Sequence, residues 1–147
     1  MSAVIDSNLI AAVVLPLPYS DLATQKLIAW KRAGAELLAP VLLLCEIAAI
    51  LRKAVGARWL TTDLAVEAIG KVLALNVRCL APTANLHERA LRWAERLGHS
   101  KAYDAQYLAL AEREGIELWT ADRRLAHAAQ QAGAHWVHWI GQAATEE

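Results

Sequence analysis

Ile116-Glu117-Leu118-Trp119-Thr120-Ala121-Asp122-Arg123-Arg124-Leu125 is the stretch on which the fold turns. Its first half, Ile116 to Thr120, has the length and apolar character of a short buried strand. From Arg123 to about Ala132 the chain reads as a helix. A strand that passes directly into a helix is half of a parallel βαβ unit, and Asp122 stands at the junction. The N-terminus repeats the arrangement: a strand over residues 2 to 5, containing Ala3-Val4-Ile5, ends at Asp6 and leads into a helical segment from about 8 to 14.

Working outward, Pro16-Leu17-Pro18 breaks the chain, and a helix follows Ser20-Asp21 to about Ala33, where Gly34 stops it. Glu36-Leu37-Leu38-Ala39 is the second strand, closed by Pro40, and a helix carrying Glu46 begins directly after it. Thr61-Thr62-Asp63 offers N-cap oxygens for a helix to about Leu75. Val77-Arg78-Cys79-Leu80 is a third strand. Asn85 with Glu88 resembles a capping box for a helix that ends at Gly98. Ser100 caps the helix that carries Asp104, Gly115 ends it, and His135 to Ile140 is the last strand. Five strands alternating with helices through short connections predict a three-layer α/β/α sandwich around a parallel sheet. Residues 1–147 suit one domain with one core.

Hydrophobic residues make up 56% of the chain, yet no apolar run spans a bilayer; the longest N-terminal stretch, Leu9 to Leu17, contains Pro16. The first five residues carry no basic segment and Asp6 breaks the apolar run, which predicts no secretory signal and a cytoplasmic protein. Cys45 and Cys79 show no C-x-x-C spacing and read as reduced core residues. The net charge is zero, which argues against holding nucleic acid by bulk electrostatics.

Four carboxylates stand where a globular fold normally places apolar or capping residues: Asp6, Glu46, Asp104 and Asp122. Asp6 and Asp122 lie just past the carboxyl ends of buried strands, where open α/β sheets bind ligands. Glu46 is the only charge between Val41 and Leu51. Asp104 shares a helix face with Tyr107, Leu108 and Ala111, while Gln106 and Arg113 point the opposite way. A buried carboxylate calls for a proton, a cationic partner or a metal ion. Setting the four aside leaves eleven acids against fifteen basic residues, so an acidic pit sits in a basic surround that an anionic substrate tolerates.

Each residue also has a simpler reading. Asp6 and Asp122 equally fit N-caps, Asp104 in a first turn favours the helix dipole, and Glu46 has Lys53 two turns on as a pairing partner. Ser7 and Asn8 read as turn residues and Thr120 as a strand former. The Arg89, Arg92 and Arg96 stripe is interleaved with Glu88 and Glu95 and reads as a solvated face. His135 and His138 alternate across a strand and read as structural, and the six tryptophans show no common stacking platform.

Taken together, Val4-Ile5-Asp6-Ser7-Asn8, the segment Pro40 to Leu51 around Glu46, Tyr103-Asp104-Ala105-Gln106-Tyr107-Leu108-Ala109-Leu110-Ala111 and Leu118 to Leu125 resemble the PIN-domain family. Within it they look most like the VapC-type toxins of toxin–antitoxin pairs. The resemblance covers nearly the whole chain and is thinnest between Arg58 and Leu80. It implies that Asp6, Glu46, Asp104 and Asp122 form the family's acidic metal-binding quartet, with Thr120 as the hydroxyl beside it. It further implies a magnesium- or manganese-dependent endoribonuclease, a homodimer, and a cognate antitoxin that holds it inactive. On this reading Asp6 and Asp104 are the primary ligands, Glu46 and Asp122 complete the site, and Ser7, Asn8 and Thr120 orient carboxylates or water. Two alternatives stay open: a non-catalytic PIN-like module that binds RNA or protein, and a housekeeping RNA-processing nuclease without an antitoxin. A covalent phosphotransferase using Asp6 is disfavoured, because Asp6-Ser7-Asn8 lacks the second aspartate of a D-x-D motif.

Overall fold

The computed structural model describes residues 1–98 and 102–144. Chain order is β1 (Ser2–Ile5), α1 (Ser7–Val14), α2 (Ser20–Arg32), β2 (Glu36–Pro40), α3 (Leu42–Gly56), α4 (Thr62–Ala74) and β3 (Arg78–Leu80). Then follow α5 (Ala84–Leu97), α6 (Tyr103–Glu114), β4 (Glu117–Thr120), α7 (Arg123–Gln131), β5 (Val137–Trp139) and a 3-10 turn at Ile140–Ala144. Every strand pair is parallel, in the order β3-β2-β1-β4-β5. The α/β sandwich expected from the sequence is therefore the fold.

β1 lies at the centre, with Val4 opposite Leu38 of β2 on one side and Leu118 of β4 on the other. Ala3, Val4 and Ile5 are all buried, as a strand covered on both faces requires. Helices α1 to α4 pack among themselves, while α6 lies over β1, β2 and β4 beneath α5. The chain runs outward from β1 to β3, then crosses back to β4. The gap between the carboxyl ends of β1 and β4 is thus the switch point where doubly wound sheets hold ligands.

Helix α6 has no polar face. Residues 105–111 are buried without a break, because the sheet covers one side of the helix and α5 the other. This corrects the expectation for Gln106: its amide is buried and meets His87 Nδ1 on α5 at 3.0 Å. Helix α5 presents Leu86, Ala90, Trp93 and Ala94 inward at helical spacing. Its N-cap is Thr83, whose hydroxyl accepts from Leu86 N, so the helix starts two residues earlier than the Asn85–Glu88 pair suggested; Asn85 instead accepts from Arg89. The Ser100 cap lies outside the described residues, and α6 begins after Ala102.

Other details also depart from the sequence reading. Cys45 is exposed, since none of the described residues covers that side of α3, and Cys79 is half-buried. His135 precedes β5 rather than sitting within it, so the strand alternation does not apply to it. His138 stacks on Trp119 and faces Glu117 at 3.3 Å. The arginine stripe is mostly engaged: Arg89 pairs with Glu112 at 2.8 Å, and Arg96 covers Trp93 and donates to the Ala132 carbonyl. No described helix is long and apolar enough to cross a membrane.

Gly115 ends α6 at φ 66°, a left-handed conformation that any side chain strains, whereas Gly70 is a solvent-facing residue inside α4 with nothing within 4 Å of a Cβ. Gly115→Ala should lower unfolding stability by about 1 kcal/mol, and Gly70→Ala should raise it by roughly 0.5–1 kcal/mol. Urea denaturation of the two variants checks the opposite signs.

Candidate functional site

Asp6 occupies the N-cap of α1. Its Oδ1 accepts from Leu9 N at 2.9 Å, and its Oδ2 accepts the Thr120 hydroxyl. Thr120 ends β4 and is fully buried; its Oγ1 also accepts from Asp122 N at 2.9 Å. One hydroxyl therefore links the ends of β1 and β4. Asp122 in turn caps α7, with Oδ1 accepting from Arg124 N at 3.0 Å and Leu125 N at 3.1 Å. The capping reading of both aspartates is correct, and it does not compete with a functional one: capping fixes both residues at the switch point.

Glu46 reaches the same end of the sheet from the second turn of α3. Its Oε1 accepts the Tyr107 hydroxyl at 2.5 Å, and Ser7 bonds to the same carboxylate. Lys53 is not its partner in any described ion pair, although both line one cavity of about 680 Å³ together with Ser7, Asn8 and Asp104. Asp104 is half-buried in the first turn of α6, so its dipole-favourable placement and its position facing the cavity coexist. Tyr107 was legible only as a neighbour of Asp104 on a buried face. Spacing alone carries no signal that its hydroxyl crosses to a glutamate 61 residues away.

Asp104 lies close enough to act on both Asp6 and Glu46, and Asp122 acts on Asp6. Burial pushes the Asp6 carboxyl up to about 7, the Asp104 and Asp122 charges add to the rise, and the Thr120 and Leu9 hydrogen bonds oppose it. Glu46 is also raised, first by burial, with the Tyr107 hydrogen bond opposing and the Asp104 charge adding. Tyr107 is held far above its ordinary range by burial and by Glu46, so it stays a hydrogen-bond donor. Among the described residues, every group acting on Asp6 is a neutral donor or another carboxylate.

Among the described residues, no three acidic, histidine or cysteine side chains are already closed on one point as a cation cage. The donor set is nonetheless all oxygen: carboxylates with Ser7 and Thr120 hydroxyls and the Asn8 amide nearby. Such donors suit a hard divalent ion such as magnesium or manganese better than zinc. A buried carboxylate that meets only neutral and negative neighbours among the described residues fits that ion too.

The sequence model of the PIN domain family matches residues 3–131. No curated protein sequence matches the chain. Among solved structures, the chain is similar to the VapC20 toxin of Mycobacterium tuberculosis, described as cleaving the sarcin-ricin loop. The TM-score is 0.64 at 22% identity, covering 86% of this chain and 94% of that one. PAE2754 of Pyrobaculum aerophilum gives 0.68 at 20% identity over 99% and 88%. A toxin–antitoxin complex from Klebsiella pneumoniae gives 0.60 at 19% identity over 94% and 97%. At these identities the likeness is one of fold.

An acid whose folded pKa exceeds its unfolded value binds its proton more tightly when folded, so folding is favoured while the proton is on and loses that advantage as pH rises. For Asp6 the window runs from the ordinary 3.8 to about 7. In EDTA, Asp6→Asn should therefore gain stability over wild type by a few kcal/mol as pH rises through that window, and the difference should level off above about pH 7. Parallel denaturation curves for the two proteins from pH 4 to 8 measure it; a difference independent of pH would show that Asp6 is not held in this state.

Proposed function

The chain belongs to the PIN-domain family, and on that premise we propose that it is a metal-dependent endoribonuclease, the toxin of a VapBC-type pair, with residues 1–147 forming a single PIN domain. The observation that carries this reading is the convergence of Asp6, Glu46, Asp104 and Asp122, from four separate segments, on the β1–β4 switch point, with no cationic counterpart for the buried Asp6 among the described residues. Mutual repulsion among such groups is reason to keep them only if a cation gathers them.

Asp6 and Asp104 hold a magnesium or manganese ion, and Glu46 and Asp122 complete its surroundings directly or through water. When bound, the ion neutralises charge on the phosphodiester and favours attack by water on phosphorus. The protein supplies orientation. Thr120 fixes Asp6 through its hydroxyl, and Ser7 and Tyr107 hold Glu46 at the rim of the pit. Asn8, at the start of α1, faces the same cavity and is placed to position a water or a phosphate oxygen.

The PIN-family membership and the description of VapC20 as cleaving the sarcin-ricin loop support RNA as the substrate. The complex from Klebsiella pneumoniae motivates a cognate antitoxin as partner. We further propose a homodimer working in the cytoplasm, as the family resemblance implies.

Incubation with a mixed RNA pool should give cleavage that requires magnesium or manganese, is abolished by EDTA, and falls at least ~100-fold in Asp104→Asn. The same ions should raise the melting temperature of wild type, by the equivalent of about 2–3 kcal/mol at a hundredfold excess over the dissociation constant, and raise that of Asp104→Asn much less. Cleavage that persists in EDTA, or an equal metal response in both proteins, would sink the proposal.

A further inference from the structure

Beside Asp122 lies a second, smaller cleft of about 220 Å³, walled by Asn8, Leu17, Pro18, Tyr19, Ala121 and Asp122 itself. Asn8 also lines the larger cavity that holds Glu46 and Asp104, so the two spaces meet at this residue, with the acidic pit between them. The small cleft lies below the roughly 300–1,000 Å³ of sites that enclose whole small molecules. Leu17, Pro18 and Ala121 give it apolar walls, and Asn8 and Asp122 give it a polar mouth.

Its aromatic wall is braced. Tyr19 meets Trp139 edge-on, with ring centroids 5.4 Å apart and planes at 82°. Trp139 is fixed in turn: the Arg123 guanidinium lies 5.1 Å from its ring centre, and Gly141 packs so closely that a Cβ there would fall 2.3 Å from a ring carbon. The Tyr19 ring is therefore backed by a rigid stack, and Arg123 places positive charge next to the acid that lines the cleft.

We infer that this cleft is a nucleobase subsite, in which the base of a nucleotide flanking the scissile phosphate stacks against Tyr19 with the Asn8 amide at its polar edge. The inference rests on the nuclease reading, since it takes the phosphate to sit over the acidic pit. A planar ring with a polar rim is the chemistry that an aromatic wall, apolar sides and one amide accept. Stacking of this kind accepts any base and requires it to be unstacked, so the substrate is single-stranded here. The neighbouring nucleotide on the other side enters the larger cavity, where Tyr103 and Lys53 stand at the walls. A strand crossing the pit thus meets an aromatic ring on each side.

The test uses the full wild-type chain, with calcium as the oxygen-binding cation in place of magnesium to slow cleavage, and single-stranded RNA decamers carrying 2-aminopurine at successive positions. One position should lose fluorescence on binding. Tyr19→Leu should remove that quench and weaken binding about 10-fold or more, while Tyr19→Phe keeps both. Ala121→Leu, which narrows the cleft and leaves the Tyr19–Trp139 contact in place, should act like Tyr19→Leu and covers the case in which the latter fails to fold. RNA bound with the same affinity and quench in Tyr19→Leu and Ala121→Leu overturns the subsite and leaves the nuclease reading standing. Absence of any RNA binding, together with absence of cleavage by wild type, overturns both.

Discussion

The hydrogen bond from the Thr120 hydroxyl to Asp6 is the interaction on which the rest of the site depends. It joins the ends of the two strands that flank the topological switch point, and the same oxygen then accepts from the Asp122 backbone. Two helices begin at that junction, each capped by an aspartate. Secondary structure, sheet order and acid placement are therefore one arrangement. Moving β4 by one residue would put Thr120 on the opposite face and leave Asp6 buried beside a group unable to donate.

An ionised Asp6 is costly to bury, and the fold compensates through the elements around it. Its strand is buried on both faces, and α6, which crosses above it, is buried without a break from Ala105 to Ala111, where Gln106 is satisfied by His87 and the Tyr107 hydroxyl by Glu46. A helix this buried contributes hydrophobic stabilisation in excess of what one carboxylate removes. It also delivers Asp104 and Tyr107 to the pit from one turn, the acid at the rim and the phenol beneath Glu46. The helix that anchors the core and the helix that carries two of the candidate site's side chains are the same.

The fold was legible because strand and helix signals alternate cleanly: Ala3-Val4-Ile5 before Asp6, and Leu118 to Thr120 before Asp122. The acids were legible because each broke an apolar pattern. What escaped the sequence depended on tertiary covering. Gln106 looked outward until α5 closed over α6, and Cys45 looked internal because its neighbours are apolar, yet its side of α3 is exposed. Tyr107 read only as a neighbour of Asp104, and Tyr19 carried no sequence signal, since only the folded chain brings the first to Glu46 and the second to Trp139. Thr83 won over Asn85 as the α5 cap because its backbone is extended where the helix begins.

Charge bears on recognition in a way that composition conceals. Several of the cations are committed to structure: Arg78 to Glu36, Arg89 to Glu112, Arg113 to Glu114, and Lys26 lies between Trp30 and Trp119. With net charge at zero and these groups occupied, a long-range field that gathers polyanions from solution is weak. On the proposed reading, affinity for a nucleic acid comes from close range, where a cation held at the pit would neutralise one phosphate and the clefts on either side would grip what adjoins it. A protein built this way discriminates by the shape of a few nucleotides rather than by counting phosphates, and its binding should depend less steeply on salt than that of a basic RNA-binding domain.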